Sequence, residues 1–435
     1  MEQPRINFCI TMETRSSLRV IYVFAHWKGM TDPVLMGELR AEYVRGKEIF
    51  SFRYDKDWLK TSFSHILDPE LVFFPGSQYA GDERQNFGVF LDSSPDRWGR
   101  MLMNRREAVI ARSVKRQPRV LRESDYLLGL FDGHRMGALR FKEDPDGPFL
   151  NNNKEFAAPP WTSIRELEQI SLKLEEEDAI DNPGYLKWLT MLVNPGSSIG
   201  GTRPKASVID LSGNLWIAKF PGKTDVKDIG GWEMVANELA RSAGLNVAQS
   251  TARKFSVRHH TFLTKRFDRT DSGERIHFAS AMTMLGHKDG DSYREGASYL
   301  EIADFLARYG ANADSDLKEL WTRMVFNIMI ANTDDHLRNH GFILTDRGWV
   351  LSPAYDINPN EEGTGLSLNV SLEDNALDLD LALGVTGYFR LDRNSGVRII
   401  KRLKESVSRW RRLADRYNLP RSEQERMAKV FDRFI

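Results

Sequence analysis

The sequence is poor in cysteine, with Cys9 as the only one among 435 residues. A single cysteine excludes an intramolecular disulfide framework and a zinc site built from several cysteines, and it favours a reducing compartment, so we expect a cytoplasmic protein. Apolar runs are also short, well below the roughly 20 residues that a membrane helix requires. The first residues carry no basic stretch leading into an apolar run, so we expect no secretory signal. These absences predict that the protein has no membrane partner.

An excess of charge of one sign is also missing, since 61 Lys and Arg residues balance 61 Asp and Glu residues. The field of the whole chain therefore gives no reason to expect a dedicated nucleic-acid-binding protein. A local basic run near the C-terminal end has two interpretations, contact with phosphates or a solvated helix face, and the second is favoured. The run consists of Arg390, Arg393, Arg398, Lys401 and Arg402.

Length and composition leave room for two or three domains, because 435 residues with 41% hydrophobic content can bury a sizeable core. The clearest break is a polar, Pro-rich stretch over 143–160. Alternating segments before it predict antiparallel strands, whereas strands from about Lys205 and then helices from about Tyr299 are expected after it. We predict an α+β protein with an N-terminal β-rich domain over 1–150, a β-rich lobe over 151–268 and a helical lobe over 269–435.

Acidic and amide side chains gather in one C-terminal region. Asp334, His336 and Asn339 follow an apolar helix, and a hairpin predicted over 341–351 returns Asp356 toward them. In a kinase-type site one carboxylate takes the proton of the acceptor hydroxyl, while an amide and a second carboxylate hold magnesium on the nucleotide phosphates. Two alternatives stay open: a set of turn-forming residues, and a metal-dependent phosphohydrolase that uses Asp334, His336 and Asp356.

A segment rich in Gly and Ser, over 195–205, is a candidate phosphate-binding loop. Its adjacent glycines, Gly200 and Gly201, let the backbone approach phosphate oxygens and aim N–H groups at them. Arg203 and Lys205 add positive charge to the same segment. An ordinary glycine-rich turn is the alternative.

Lys219 lies among apolar residues in the second strand of the hairpin that follows this segment. A partly buried ammonium must be paired or must bind an anion. Glu233, expected at the start of a helix that stops at Gly244, is the candidate partner, as in kinases. The alternative is a lysine that extends from a strand edge into solvent, with Glu233 solvated as well.

An apolar strand then leads into the charged residues Lys265 to Arg269, which fits a connection between two lobes. Its backbone offers hydrogen-bonding groups for the edge of an adenine. Nothing base-specific is visible in these residues, and a plain surface strand end is equally compatible with them.

Seven short blocks, in a fixed order between about residues 90 and 360, carry a family resemblance. The first covers residues 92–100 and ends in SPDRWGR. The others are GALRF (137–141), SIGGTRPKA (198–206), AKFP (218–221), RFDR (266–269), NTDDHLRNHG (332–341) and PAYDINP (353–359). Together they resemble the HipA-like serine/threonine kinases, the toxin halves of bacterial toxin–antitoxin pairs. No single block is decisive, but their ordered recurrence is specific.

The resemblance implies a two-lobed protein-kinase-like core that transfers the γ-phosphoryl group of Mg-ATP to a serine or threonine. Asp334 would be the catalytic base, with Asn339 and Asp356 as ligands of Mg²⁺. Lys219 would contact the nucleotide phosphates, and the backbone over 265–267 would meet adenine. The implied ATP-binding set is Ser198, Ile199, Gly200, Gly201, Thr202, Lys205, Lys219, Glu233, Lys265, Arg266, Phe267, His336, Asn339 and Asp356.

Regulation and partners are implied by the same resemblance. Members of the family autophosphorylate a serine in the phosphate loop, which disorders the loop and switches the kinase off. That serine corresponds here to Ser198, with the adjacent Ser197 as the alternative. The implied partners are a protein substrate, an aminoacyl-tRNA synthetase, and a small helix-turn-helix antitoxin through which DNA is contacted. A catalytically silent scaffold for that antitoxin is a further alternative.

Overall fold

The computed structural model describes residues 18–63, 65–81, 83–176, 179–192, 203–255 and 258–435. Its N-terminal part is built on a five-stranded antiparallel sheet with the strand order β4-β3-β2-β1-β5. Alternate residues of the first strand, including Ile21 and Val23, are fully buried, as expected for a sheet with one face on a core. The strands are β1 (Leu18–Ala25), β2 (Val34–Val44), β3 (Lys47–Tyr54), β4 (Gln78–Tyr79) and β5 (Leu139–Lys142).

Three helices lie between β4 and β5 along the chain, and two more connect this sheet to the next. Asp96 caps the longest of them, since its Oδ1 accepts a hydrogen bond from the Gly99 N–H at 2.8 Å. The hydroxyl of the nearby Ser94 donates to the carbonyl of Phe90 at 2.9 Å and takes no part in the cap. The helices are α1 (Gly88–Asp92), α2 (Arg97–Ser113), α3 (Glu123–Gly129), α4 (Ile164–Leu174) and α5 (Tyr185–Leu192).

A four-stranded antiparallel sheet follows, with the strand order β6-β7-β9-β8. Helix α6 (Ile229–Ser242) connects its second and third strands along the chain. Asp228 caps this helix, so Glu233 lies inside it rather than at its start, and Gly244 with φ +82° follows its end. The strands are β6 (Lys205–Ile209), β7 (Leu215–Lys219), β8 (Ser250–Arg253) and β9 (Thr261–Lys265).

The C-terminal part is mainly helical around a small sheet with the order β10-β11-β12. The strands are β10 (Phe278–Ser280), β11 (Gly341–Thr345) and β12 (Gly348–Leu351), and the last two form the predicted hairpin. The helices are α7 (Ala281–Met284), α8 (Tyr299–Tyr309), α9 (Ala313–Met329), α10 (Leu379–Gly384), α11 (Arg393–Val407), α12 (Trp410–Arg416) and α13 (Arg421–Phe431).

The two largest of three hydrophobic clusters among the described residues hold these parts together. The larger one joins the N-terminal sheet, through residues such as Phe52, to the C-terminal helices, through residues such as Trp321. The second packs Trp98 and Leu102 of α2 against the four-stranded sheet, including Ala206. The predicted α+β class, with β-rich parts before a helical part, is confirmed. The domain boundaries at 150 and 268 stay a prediction.

The surface bears on two further expectations. Arg393, Arg398, Lys401 and Arg402 lie on the exposed side of α11, and Arg390, just before it, forms an ion pair of 2.7 Å with Asp314. This placement fits the solvated helix face. Within the described ranges, no helix combines the length and apolar character needed to cross a membrane.

Candidate active site

Lys219, the last residue of β7, lies at the centre of a buried charge cluster. Its Nζ is 2.6 Å from Glu233 Oε1 and 2.6 Å from Asp356 Oδ1. The side chain is only 7% exposed. Burial alone would lower its pKa, but the two carboxylates outweigh burial and raise the pKa to about 12. Lys219 therefore stays protonated, and the solvent-exposed alternative is excluded.

The two carboxylates around Lys219 differ in their protonation. Burial raises the pKa of Glu233, which projects from α6, to about 7. Burial acts in the same direction on Asp356, but the charge and hydrogen bond of Lys219 dominate and lower its pKa to about 2. Asp356 is thus held in its ionised form by Lys219, whereas burial makes Glu233 easier to protonate than an ordinary glutamate.

The backbone around Asp356 presents its carboxylate to the cluster. Asp356 has a left-handed backbone with φ 58°, which is uncommon for a residue other than glycine and tolerated best by Asp and Asn. Asn358 Nδ2 donates to Asp356 Oδ1 at 2.8 Å. The N–H of Asn358 donates in turn to Asn332 Oδ1 at 3.2 Å, which ties this segment to the loop after α9.

Asp334 and Asn339 lie in that loop and in the short turn that follows it. Asn339 Nδ2 donates to the backbone carbonyl of Asp334 at 3.1 Å, and the residue is 4% exposed. Its Oδ1 has no hydrogen-bond partner among the described residues, and neither has Asn358 Oδ1. Buried amide oxygens are rarely left without a partner. The side-chain oxygens of Asn339 and Asp356 are of the kind that Mg²⁺ prefers as ligands.

Asp334 is exposed and faces an open cleft. It lines a cavity of about 410 Å³ together with His336, Asp96 and Arg97. Partial burial and then the neighbouring carboxylates raise its pKa, while His336 opposes that shift. An exposed carboxylate with a raised pKa is suited to accept a proton from a group that enters the cleft.

A buried network fixes the loop that carries Asp334. The adjacent Asp335 accepts hydrogen bonds from His340 Nε2, at 2.7 Å, and from the hydroxyl of Tyr299. Asn327 of α9 donates to the same hydroxyl at 3.2 Å. Sequence reasoning missed Asp335, and its only signal was its place beside a candidate base.

Lys205, a predicted phosphate contact, forms an ion pair with Asp96 of the N-terminal part. Its Nζ is 2.6 Å from Asp96 Oδ2, and the two side chains are 1% and 2% exposed. The indole N–H of Trp98 donates to the Lys205 carbonyl at 3.2 Å. Sequence reasoning missed this contact between Asp96 and the second sheet.

The predicted hinge is the segment Lys265 to Phe267, expected to connect the two lobes and to meet adenine. Its side chains and backbone make their contacts mainly with other residues of the protein. Lys265 pairs with Asp271 at 2.6 Å, and the buried Arg266 binds Asp268 through two nitrogens at 2.8 and 2.6 Å. The backbone N–H groups of Lys265 and Arg266 donate to the carbonyls of Gln249 and Leu215. Phe267 packs against Tyr355 with ring centroids 5.5 Å apart.

The remaining predicted residues divide into two groups. His336 lines the cleft beside Asp334, and its Nδ1 has no partner among the described residues. Ser197, Ser198, Ile199, Gly200, Gly201 and Thr202 lie outside the described residues. Across the part of the chain that is described, no three His, Cys, Asp or Glu side chains are grouped in a way that could hold a metal ion.

Glu233 on helix α6 pairs with Lys219 on strand β7, and the β11–β12 hairpin lies between Asn339 and Asp356. This arrangement is that of a kinase-like fold. Residues 197–433 match the family described as the HipA-like C-terminal domain. The chain belongs to that family.

Solved and curated proteins agree with this assignment. A chain of the complex of HipA, HipB and operator DNA from Shewanella oneidensis MR-1 is similar over 95% of both chains, with a TM-score of 0.64 and 18% identity, which shows the fold. Among curated proteins, "Putative kinase Y4mE" and "Putative kinase Y4dM" of Sinorhizobium fredii are 28% and 27% identical over 32% and 51% of this chain. The "Serine/threonine-protein kinase toxin HipA" of Shewanella oneidensis is 27% identical over 29% of it. These matches span only 33% to 56% of the curated relatives' own lengths.

Proposed function

We propose that this protein is a Mg-ATP-dependent serine/threonine protein kinase that acts as a toxin. The observation that carries the proposal is the position of Lys219, 2.6 Å from both Glu233 and Asp356. Kinases use such a lysine to bind nucleotide phosphates, and its pairing with a helical glutamate keeps it in place. With ATP bound, Lys219 would keep Glu233 and exchange its contact with Asp356 for a phosphate oxygen.

The other residues of the site take roles that follow from their surroundings. Asp334 would accept the proton of the attacking hydroxyl, since it lines the cleft and partial desolvation there raises its pKa. Asn339 and Asp356 would hold Mg²⁺, which supplies charge neutralisation on the phosphate oxygens when bound. His336 would lie close to the nucleotide and order the loop. Lys265 to Phe267 would contact adenine.

Lys205 has a supporting role in this proposal. Because its ammonium binds Asp96 at 2.6 Å, it would position the start of β6 rather than bind phosphate alone. Autophosphorylation of Ser198, or of Ser197, would place about −1.5 to −2 charges in a segment whose task is to bind phosphate. We propose that this modification inactivates the kinase.

The proposed partners follow from the relatives. The similar chain from Shewanella oneidensis belongs to a complex with HipB and operator DNA. By analogy we propose a small helix-turn-helix antitoxin that links this chain to DNA. An aminoacyl-tRNA synthetase is the proposed protein substrate and the cytoplasm the proposed location, both on the family resemblance.

Intact mass and phosphopeptide mapping after incubation with Mg-ATP test the chemistry. The wild type, Asp334→Asn, Ser197→Ala and Ser198→Ala should be compared after phosphatase treatment, so that any new phosphate is made in the assay. We expect phosphate on the loop serine in the wild type and none in Asp334→Asn. ATP binding without transfer in the wild type would favour a silent scaffold. Hydrolysis of a phosphomonoester that survives Lys219→Met would favour the phosphohydrolase.

A further inference from the structure

A series of hydrogen bonds between buried groups connects the residue beside Asp334 with the carboxylate of Asp356. At one end, Asp335 accepts from the hydroxyl of Tyr299, the first residue of α8. Burial and the neighbouring Asp335 raise the pKa of Tyr299 well above its usual range, so the hydroxyl keeps the proton that it donates. The oxygen of this hydroxyl also accepts from Asn327 Nδ2 of α9 at 3.2 Å. Tyr299 thus joins Asp335 to α9.

Two more asparagines continue the series from α9 to Asp356. Asn327 Oδ1 accepts from Asn332 Nδ2 at 3.1 Å, and Asn332 Oδ1 accepts from the Asn358 N–H at 3.2 Å. Asn358 Nδ2 then donates to Asp356 Oδ1 at 2.8 Å. Asn327 and Asn332 are only 4% and 1% exposed, so water has little access to compete for these bonds. The complete series, which we call the polar bridge, consists of Asp335, Tyr299, Asn327, Asn332, Asn358 and Asp356.

The two central amides of the polar bridge each have one orientation that serves both of their neighbours. Asn327 and Asn332 both donate through Nδ2 and accept through Oδ1. Turning either amide over would place two donors, or two acceptors, opposite each other. A buried donor that loses its acceptor is costly, so the amide that carries it must move to find another one. The loss of one bond is therefore passed on to the next.

The polar bridge also reaches the neighbour of Asn339. His340, the next residue, donates from Nε2 to Asp335 Oδ2 at 2.7 Å, and its side chain is buried. One end of the bridge therefore lies beside Asp334 and, through His340, beside Asn339, while the other end is Asp356 itself. The middle of the bridge belongs to α8 and α9, which are built into the larger hydrophobic core. These closely packed helices give the two ends a common rigid support.

We propose that Tyr299 and Asn327 are positioning residues, which hold the loop of Asp334 and the carboxylate of Asp356 in a fixed relative position through the polar bridge. Other residues of the described chain line the cleft at Asp334, so neither side chain would touch the substrate. Their effect would be carried by the two ends of the bridge. The roles of Asp334 and Asp356 in phosphotransfer rest on the proposed function, whereas the coupling between their two segments does not.

Amide hydrogen exchange of the ligand-free full chain tests this coupling independently of any activity. Tyr299→Phe removes the hydroxyl and keeps the ring, which breaks the polar bridge at a point far along the series from Asn358. We expect exchange at the Asn358 N–H to become about fivefold faster, the effect of one weakened hydrogen bond. Tyr54→Phe is the matched control, because it removes another buried tyrosine hydroxyl, which donates to the Leu71 carbonyl at 3.3 Å. This control should leave exchange at Asn358 unchanged.

Magnesium titration with a non-hydrolysable ATP analogue bound extends the test to the site. Tyr299→Phe should raise the apparent Kd for Mg²⁺ about fivefold, because the bridge supports a proposed ligand. Affinity for the analogue without Mg²⁺ should stay within about twofold, since Lys219, the proposed phosphate contact, is not part of the bridge. Asn358→Ala breaks the bridge at its other end, so the double variant should bind Mg²⁺ within about twofold of Asn358→Ala alone. Independent local damage would instead multiply the two effects.

Unchanged exchange at Asn358 in Tyr299→Phe, or an equal change in Tyr54→Phe, would overturn the positioning role. So would an unchanged Kd in a protein that binds Mg²⁺, or effects that multiply in the double variant. Faster exchange in Tyr299→Phe, together with a wild type that binds neither the analogue nor Mg²⁺, would refute the proposed function and leave the coupling established. Should Tyr299→Phe fail to fold, Asn327→Ala breaks the adjacent links and carries the same expectations.

Discussion

Replacing Lys219 by methionine tests the buried charge cluster directly. Methionine keeps most of the volume but leaves Glu233 and Asp356 without the ammonium that each now contacts at 2.6 Å. Removing one partner from a buried ion pair costs about 3–5 kcal/mol. For 435 residues, an unfolding entropy of about 2.1 cal/mol/K per residue gives roughly 0.9 kcal/mol per degree. In a single cooperative transition Tm should therefore fall by about 3–6 °C.

The pH dependence of this loss identifies its cause. Without Lys219, both carboxylates should have folded-state pKa values above their unfolded values, so the folded state binds more protons and loses stability as pH rises. The deficit in Tm should be full near pH 7.5 and should shrink as pH falls toward about 4. Differential scanning calorimetry of the wild type, Lys219→Met and Lys219→Met/Glu233→Gln measures it, and the double variant should recover part of the loss. A deficit below about 1 °C, or one independent of pH, would refute the reasoning.

Three further outcomes concern the proposed chemistry. Asp334→Asn should slow phosphotransfer, measured by radiolabel transfer, by about 10²–10⁴-fold. The affinity for ATP, measured by calorimetry, should stay within about threefold of the wild type. A large loss of ATP affinity would contradict the role of Asp334 as the base. Because burial raises the pKa of Asp334, single-turnover phosphotransfer should decline as pH falls through a value above the ordinary range for aspartate, and an acid limb at or below about 3.9 would argue against this. Asn358→Ala removes the 2.8 Å hydrogen bond to Asp356 and should raise the apparent Kd for Mg²⁺ about tenfold in a metal titration, whereas an unchanged Kd would exclude a contribution from Asn358.

Local sequence patterns were enough to place much of the fold and several members of the site. Lys219 stood out because a charged residue interrupted an apolar strand, and the helix that carries Glu233 could be recognised by its periodicity and by the glycine after its end. The hairpin β11–β12 followed from alternation around a turn, and it brings Asp356 back toward the loop of Asp334. These inferences needed only contacts between neighbouring elements.

Other contacts of the site join residues far apart in the chain, and local patterns carry no information about them. Lys219 and Asp356 are 137 positions apart, and Asp96 and Lys205 are 109 apart. From the sequence, Lys219 had one predicted carboxylate partner, Glu233, and Lys205 had none. In the structure, Lys219 contacts the carboxylates of Glu233 and Asp356, and Lys205 contacts that of Asp96. Asn358 was missed for a different reason, since an Asn next to a Pro is as typical of an ordinary turn as of a supporting hydrogen bond.

The N-terminal part is better understood as a component of the site than as an appended domain. Asp96 reaches the first residue of β6, and Arg97 beside it lines the cleft at Asp334. After the end of β9, the buried Arg266 donates to the carbonyl of Arg135 at 3.1 Å, and Asp268 accepts from the Gly137 N–H at 2.8 Å. Both the start of β6 and the predicted hinge are thus held by residues before position 140, each through buried groups that would be costly to leave unpaired.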